Sequence, residues 1–222
     1  MKSERQQYLD AMGIQVWQAK DAGGECSVNV NTESGSVDQS DWDVLEQQAM
    51  HCTLCDLCKT RTHVVFGVGN KQSDLLIIGE APGANEDKQG EPFVGRAGML
   101  LNAMLNAIGL KRSDIYIANI LKCRPPQNRD PLPHEIESCT SYLQQQISLI
   151  QPKLIVAVGR IAAQYLLNTK DSMGKLRGNV YHYGEQSIPL LVTYHPAYLL
   201  RSPREKSKSY RDLLHMQTMI RN

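Results

Sequence analysis

The sequence has no long hydrophobic run. No stretch of its 222 residues approaches the roughly 18–20 consecutive apolar residues that a membrane-spanning helix needs. Residues 1–20 are charged and rich in glutamine, and they contain no apolar segment of the kind found in secretory signals. We therefore expect a cytoplasmic protein with no membrane partner. Hydrophobic residues still make up 41% of the chain, which is enough to bury one sizeable core.

Charge is nearly balanced overall but unevenly distributed. The formal net charge is +1, yet residues 1–51 hold 3 Lys/Arg against 9 Asp/Glu, and residues 153–222 hold 11 against 4. A basic C-terminal third is typical of a surface that binds a polyanion. An ordinary solvated surface would have the same composition, so charge alone leaves both interpretations open.

The chain has six cysteines but no sign of export. Because the cytosol keeps thiols reduced, a disulfide framework is disfavoured, and metal binding, catalysis or packing remain. Cys52 and Cys55 form a C-x2-C pair, and Cys123 and Cys139 follow much later. Four thiolates can close a zinc site or hold an iron–sulfur cluster, and this spacing does not decide between them. Cys58 competes as a ligand.

Local composition divides the chain into two parts. Residues 1–20 are predicted to be a short helical arm, and residues 21–40, which contain Cys26, a flexible linker rich in small polar residues. A helix over residues 41–50 then begins the folded domain. We predict an acidic arm and linker at 1–40 and one globular domain at 41–222.

Within the domain, short apolar runs alternate with amphipathic helical patterns. The predicted strands, buried on both faces, are residues 75–79, 115–120, 154–159 and 190–194. The predicted helices are residues 97–108, 133–150, 161–167 and 206–220. This order indicates an α/β fold, a three-layer α/β/α sandwich around a central, mainly parallel four-stranded sheet.

Polar motifs follow three of the predicted strands. Residues 79–83 (GEAPG) follow the first strand, Asn119 ends the second, and His195 follows the fourth. In parallel sheets the working residues lie just beyond the carboxyl ends of the strands. The three motifs are therefore expected at one edge of one sheet.

These motifs together resemble the family 4 uracil-DNA glycosylases, the iron–sulfur branch of the uracil-DNA glycosylase superfamily. The resemblance covers about residues 50–202, in family order and with ordinary loop lengths. It is carried by Cys52-Thr-Leu-Cys55, Arg61-Thr62, Val65-Phe66-Gly67, Gly79-Glu-Ala-Pro-Gly83 with Glu86-Asp87, Gly90-Glu-Pro-Phe-Val-Gly-Arg-Ala-Gly98, Asn119-Ile-Leu-Lys-Cys-Arg-Pro-Pro-Gln-Asn-Arg129 and His195-Pro-Ala-Tyr-Leu-Leu-Arg201.

The resemblance implies a [4Fe–4S] cluster. The family's four cysteine ligands correspond to Cys52, Cys55, Cys123 and Cys139, and Cys58 falls where the family needs no cysteine. The cluster is expected to be structural, tying the segment before the sheet to the loop after the second strand, with no redox turnover during base removal.

The resemblance also implies the activity, hydrolysis of the N-glycosidic bond of deoxyuridine to release uracil and leave an abasic site. A stacked base cannot be attacked in place, so the nucleotide must flip into a pocket. Phe93 is expected to stack on the base, and Asn119 to read it, because an amide offers a donor and an acceptor side by side. Glu80 and Ala81 are expected to line the base pocket.

Three further residues are expected to take part in the chemistry. Bond cleavage leaves charge on the uracil oxygens, and His195 is the candidate donor that stabilises it. Glu86 and Asn128 correspond to positions that handle the attacking water. Relatives in the superfamily use different residues for this last role, so the assignment is the least specific.

DNA binding is expected in the loop after His195. Arg201, Arg204 and Lys206 are candidates to contact phosphates, and Lys208 lies in the same basic stretch. Tyr198-Leu199-Leu200 is implied as a wedge in the duplex. The expected partner is uracil-containing DNA, single- or double-stranded, bound by a monomer, which in a prokaryote would be nucleoid-associated. The acidic arm is interpreted as a solubilising tail or, as the alternative, as a docking segment for a repair or replication partner.

Two other functions fit the same motifs less well. One is a superfamily member that binds or traps uracil-DNA without turnover, but the basic insertion of a known variant of that kind is missing from residues 91–98. The other is a metal-stabilised DNA-binding module without catalysis, which would not need Phe93, Asn119 and His195 together.

Overall fold

The structure, a computed structural model, describes residues 39–221. The predicted arm, nearly all of the predicted linker and Cys26 lie outside these residues. The predicted first helix of the domain is present as α1. The described helices are α1 (Gln39–Met50), α2 (Ala84–Gln89), α3 (Arg96–Asn106), α4 (Pro133–Ile150), α5 (Arg160–Leu166), α6 (Met173–Leu176), α7 (Pro196–Arg201) and α8 (Lys206–Arg221). Within the described range, no helix is long and apolar enough to span a membrane.

A mixed sheet forms the centre of the domain. Its strands are β1 (Val68–Gly69), β2 (Leu75–Gly79), β3 (Tyr116–Asn119), β4 (Leu154–Val158), β5 (Val180–Tyr183) and β6 (Ile188–Thr193). The strand order is β1-β3-β2-β4-β6-β5. The four central strands are parallel, as predicted, and pair as β3-β2-β4-β6.

The predicted number of strands was wrong, because the described sheet has six strands rather than four. The two additional strands, β1 and β5, lie at the edges and pair antiparallel. β1 is only 2 residues long, and the side chains of β5 are exposed or half-buried in alternation. Neither strand is a continuous apolar run, because an edge strand is not covered on both faces.

Helices cover the sheet on both sides, which confirms the α/β class. Leu76 and Ile78 of β2 belong to one buried cluster with residues of α1, α4 and α5. Leu75 and Ile77 of the same strand belong to a second cluster with residues of α3 and α8. Successive side chains of a strand point to opposite faces, so every central strand contributes to both layers. Each fully buried aliphatic side chain stabilises the fold by about 1.5–3 kcal/mol.

The strand register aligns the polar motifs. Gly79, the last residue of β2, pairs with Asn119, the last residue of β3. On the other side, Val158 of β4 pairs with Thr193 of β6, two residues before His195. The carboxyl ends of four neighbouring strands therefore meet at one edge, as the sequence predicted.

Candidate active site

A cleft of about 480 Å³ opens at this edge of the sheet. It contains every residue predicted to bind the base or to take part in the chemistry, and one of the three predicted DNA-binding residues. The cleft is lined by Glu80, Ala81, Pro82, Gly83, Glu86, Phe93, Ala97, Asn119, Pro125, Asn128, Arg129, Asp130, His195, Ala197, Tyr198 and Arg201. Its volume falls within the range usual for small-molecule sites, large enough for one nucleotide.

Phe93 is held in an unusual backbone conformation. Its φ is 54°, a left-handed value that is an outlier for a bulky side chain and marks local strain. A Cβ at position 98 would lie 1.8 Å from the Phe93 carbonyl oxygen, so glycine is needed there. Arg112 donates hydrogen bonds to the carbonyls of Phe93 and Pro92. The surrounding residues thus fix the ring, which is 7% exposed, in the cleft wall.

Asn119 presents an amide oxygen without a partner. The residue is 2% exposed, and its Oδ1 is buried with no hydrogen bond within residues 39–221. A buried acceptor left unpaired costs about 1–3 kcal/mol. A Cβ at Gly79 would lie 2.4 Å from this oxygen and 2.9 Å from Cε2 of Phe93, so the amide and the ring both pack against the glycine.

His195 is held as a neutral ring with a defined tautomer. Its Nδ1 accepts a hydrogen bond of 3.1 Å from the backbone N–H of Ala197 at the start of α7. Burial, together with the nearby Arg201, lowers the pKa of His195 to about 4, while Glu86 acts in the opposite direction. Because Nδ1 is an acceptor, the ring proton of the neutral form lies on Nε2.

Glu80 is the perturbed carboxyl of the cleft. Burial raises its pKa to about 7, with a contribution from Asp130, and Arg160 acts in the opposite direction. Arg160 forms an ion pair of 2.9 Å with Asp130, which itself lines the cleft. A pKa near neutrality allows a carboxyl group either to give or to accept a proton at physiological pH.

Glu86 and Asn128, both predicted to handle water, already have protein partners. Oε1 of Glu86 accepts two hydrogen bonds of 3.0 Å from the backbone N–H groups of Val94 and Gly95. This carboxylate therefore anchors residues 90–95, the Phe93 loop between α2 and α3. Asn128 Oδ1 accepts a hydrogen bond of 2.8 Å from Nε of Arg124. The second oxygen of Glu86 and the amide nitrogen of Asn128 are not used in these bonds.

The predicted DNA-binding residues do not form one loop. Arg201 ends α7 and lines the cleft, Arg204 lies in a 3₁₀ turn, and Lys206 begins α8 beside a separate apolar groove. The prediction of an extended basic loop over residues 201–208 was therefore wrong, because most of this segment is helical. Lys208 forms an ion pair of 2.8 Å with Glu205, which neutralises part of its charge.

On the loop between β3 and α4, the cleft residues Pro125, Arg129 and Asp130 had no role predicted from the sequence. Arg129 forms a salt bridge of 2.6 Å with Glu135 of α4. Pro125 and Arg129 belong to a motif that carries the family resemblance and Asp130 directly follows it, so the signal for this loop was the motif, not a residue type specific for a nucleotide site.

Behind the cleft, five cysteines line one small void: Cys52, Cys55, Cys58, Cys123 and Cys139. Within the described residues, no group of three or more His, Cys, Asp or Glu side chains is arranged to hold a metal ion. Ala81 of the cleft packs against the apolar cluster that contains Cys123 and Cys139. The cleft and the cysteine void are therefore neighbours.

Arg61 donates a hydrogen bond to one of the five sulfurs, Sγ of Cys123, over 3.2 Å. The backbone groups of Leu57 and Lys122 lower the pKa values of Cys55 and Cys139, respectively, but burial outweighs them. Burial raises the pKa of Cys139 to about 11, and also raises the pKa values of Cys55 and Cys123. Bound cations would offset this cost for thiolates.

Comparison with known proteins agrees with this architecture. A family model described as the uracil DNA glycosylase superfamily matches residues 66–215. The type-4 uracil-DNA glycosylase of Archaeoglobus fulgidus is 46% identical over 168 residues, which are 73% of this chain and 84% of the relative. The type-4 uracil-DNA glycosylase of Thermotoga maritima is 45% identical over 163 residues, 72% of this chain and 83% of the relative.

A more distant relative is the type-5 uracil-DNA glycosylase of Thermus thermophilus, 29% identical over 149 residues, which are 59% of this chain and 68% of the relative. The identity with the type-4 relatives is higher and covers more of the chain. The chain therefore belongs to the type-4 family of the uracil-DNA glycosylase superfamily.

Proposed function

We propose that this protein is a uracil-DNA glycosylase that flips deoxyuridine out of DNA, hydrolyses its N-glycosidic bond and leaves an abasic site. The observation that carries the proposal is the unpaired, buried Oδ1 of Asn119, which lies against Gly79 together with the Phe93 ring. The type-4 relatives are named for the same activity. A base whose N–H group donates to this buried acceptor would remove the cost of leaving it unpaired, so the cleft favours a base with an N–H group at that place.

Base recognition follows from hydrogen-bond geometry. Uracil presents a carbonyl oxygen beside an N–H, and the Asn119 amide offers a donor and an acceptor that match both. Cytosine presents the opposite pattern and would leave buried groups unpaired, which is a strong basis for discrimination. Stacking on the fixed Phe93 ring contributes about 1–3 kcal/mol without distinguishing between bases.

His195 stabilises the departing uracil. As the glycosidic bond breaks, the sugar gains positive charge and the uracil oxygens gain negative charge. The neutral imidazole carries its proton on Nε2, where it donates a hydrogen bond to the anion without a proton first being taken up. A single preorganised donor of this kind is worth about 2.7–4 kcal/mol of barrier in other enzymes.

The sugar cation needs a nearby negative charge and a water nucleophile. Glu86 supplies the charge with its free oxygen, and Asn128 orients the water with its amide nitrogen. Glu80 is the second carboxyl in the cleft, and its pKa near 7 suits a proton acceptor. Arg201, at the cleft mouth, binds a phosphate of the flipped nucleotide, and Arg204 and Lys206 contact the DNA backbone outside the cleft.

We further propose that Cys52, Cys55, Cys123 and Cys139 hold a [4Fe–4S] cluster. The four cysteines line one void and come from the segment before the sheet, the β3–α4 loop and α4, and four thiolates are the usual ligands of such a cluster. Hydrogen bonds to ligand sulfurs are usual in such sites. When bound, such a cluster would tie the segment before the sheet covalently to the β3–α4 loop, and no step of excision passes through it.

An excision assay tests the proposed activity. The holoenzyme is incubated with a uracil-containing oligonucleotide, and the products are separated on a denaturing gel after alkaline cleavage of abasic sites. Free uracil with a cleaved strand supports a glycosylase. A protein–DNA band that survives denaturation would indicate trapping, and binding without product would indicate a non-catalytic module. Iron content and visible absorbance test the cluster, with Cys58→Ser expected to keep both and Cys123→Ser to lose them.

A further inference from the structure

Lys122 is a buried cation without a carboxylate partner. It is 2% exposed and lies between the cleft and the cysteine void, which it lines. Its Nζ donates to the Asn119 carbonyl over 2.9 Å and to Oε1 of Gln146 over 2.6 Å, both neutral acceptors. Within residues 39–221, its ammonium forms no ion pair with Asp or Glu. Burial lowers the pKa of Lys122 to about 7, and the nearby Cys139 acts in the opposite direction.

A buried ammonium of this kind calls for a neighbouring anion. Charges removed from water are strongly disfavoured unless they are paired, and two neutral hydrogen bonds do not replace the lost solvation. Nζ of Lys122 also lies 5.8 Å from the centre of the Phe66 ring, and Lys122 lines the void formed by the cysteines. Arg61 brings a second positive charge to the same void through Cys123.

A cluster held by four thiolates supplies the missing negative charge. A [4Fe–4S]²⁺ core with four thiolate ligands has a net charge of −2, which two cations balance. We propose that Lys122 is the buried counter-cation of this cluster and, through its hydrogen bond to the Asn119 carbonyl, the residue that positions the base-reading end of β3. The inference rests on the proposed cluster and adds a role for a side chain that contacts neither uracil nor iron.

The positioning part of the proposal follows from a chain of hydrogen bonds. Gln146 of α4, which accepts from Lys122, donates through Nε2 to the Phe66 carbonyl over 2.9 Å. The backbone carbonyl of Lys122 accepts from the N–H of Val65 over 2.8 Å. Lys122 thus joins the end of β3 to α4, which carries Cys139, and to the segment that follows Arg61. An anion in the void keeps Lys122 in this arrangement.

The direction in which one substitution shifts the thermal midpoint tests the proposal. Lys122→Met keeps most of the side-chain volume and removes the charge. If no anion occupies the void, removing an unpaired buried charge leaves the thermal midpoint unchanged or raises it. With an anionic cluster, the variant loses a counter-charge. We then expect it to release iron to a chelator at least about tenfold faster than wild type, with a lower thermal midpoint.

Two further variants separate charge from packing. Gln146→Glu is nearly isosteric and gives Lys122 a carboxylate that competes with the cluster for its charge, so iron release is also expected to accelerate. Lys153→Met removes an exposed lysine paired with Asp74 and is expected to release iron as wild type does. If Lys122→Met and Gln146→Glu both retain iron as wild type does, the counter-cation proposal is wrong.

A kinetic readout tests the positioning role. In single-turnover excision corrected for iron content, Lys122→Met is expected to lower the maximal rate about tenfold or more while the DNA concentration for half-maximal rate stays the same. Equal loss in both parameters, or none, overturns this role. Wild-type protein without iron or without excision would instead contradict the proposed function, so the two failures are distinguishable.

Discussion

Replacement of Asn119 by leucine should separate activity from stability. Leucine has the same branching and the same number of side-chain heavy atoms as asparagine but offers no hydrogen bond, so bound uracil would leave its carbonyl and N–H buried and unpaired. Each such group costs about 1–3 kcal/mol, for a total of roughly 2–6 kcal/mol. Since about 1.4 kcal/mol corresponds to a factor of ten, kcat/KM should fall roughly 30- to 10⁴-fold. Uracil release from a labelled oligonucleotide under single-turnover conditions measures this loss.

The stability of the same variant should not fall. Wild-type Asn119 is 2% exposed and already carries an unpaired Oδ1, a cost that leucine removes. We therefore expect a thermal midpoint equal to or above that of wild type. Asn102 provides a matched control, because its Oδ1 is also buried and unpaired within the described residues but lies outside the cleft. Asn102→Leu should excise uracil as wild type does.

Two outcomes would refute the reasoning. If Asn119→Leu retained more than about a tenth of the wild-type kcat/KM, uracil would not be read by this amide. If Asn102→Leu lost as much activity as Asn119→Leu, the effect would come from general loss of packing. Residual activity on cytosine opposite guanine provides a further check, since leucine removes the penalty against cytosine together with the preference for uracil.

Gly79→Ala should lower kcat/KM at least about tenfold in the same assay, because its Cβ would lie 2.4 Å from Asn119 Oδ1 and force the amide aside; wild-type activity would contradict this packing. Glu80→Gln should slow excision above pH 7 but have little effect below about pH 6, because burial raises the wild-type pKa to about 7 and the wild-type carboxyl is then mostly protonated. A pH–rate profile with parallel curves would exclude a role for its charge. Arg201→Gln should weaken binding to uracil-containing and undamaged DNA alike and reduce the slope of log K against log salt by about 1, as measured by fluorescence anisotropy. Lys208→Gln should change that slope less, because the wild-type lysine is already paired with Glu205. If Arg201→Gln weakened binding only to uracil-containing DNA, the assignment of Arg201 to a phosphate would be wrong.

The central strands could be predicted because a strand buried on both faces is apolar along its whole length. β2 and β4 are buried on both faces, so each is an unbroken apolar run, LLIIG and LIVAV. β5 is VYHY, with alternately exposed and half-buried residues, and this short polar–aromatic pattern does not distinguish an edge strand from a loop. The sheet edges therefore depended on tertiary pairing that no local pattern encodes.

The cleft, like the sheet, could be predicted only in part. Asn119 and His195 stand at strand ends, and the topology rule for parallel sheets brings such positions together. The left-handed backbone of Phe93 had no signal, since a bulky residue rarely adopts it and the contact that requires glycine at position 98 is made only in the fold. Lys122 was equally hidden, because a lysine is normally exposed and its partner Gln146 is distant in sequence.

The fixed backbone conformation of Phe93 implies that the DNA, rather than this part of the protein, changes conformation when substrate binds. Its left-handed backbone is already fixed by Gly98, by Arg112 and by the hydrogen bonds that the backbone N–H groups of Val94 and Gly95 donate to Glu86. This wall of the cleft therefore has its final shape before DNA binds. The free-energy cost of flipping the nucleotide then comes from unpairing and unstacking the base in the DNA. Among uracil-containing DNAs, we then expect the excision rate to follow the ease of unpairing the base, with unpaired uracil first, uracil opposite guanine next and uracil opposite adenine last.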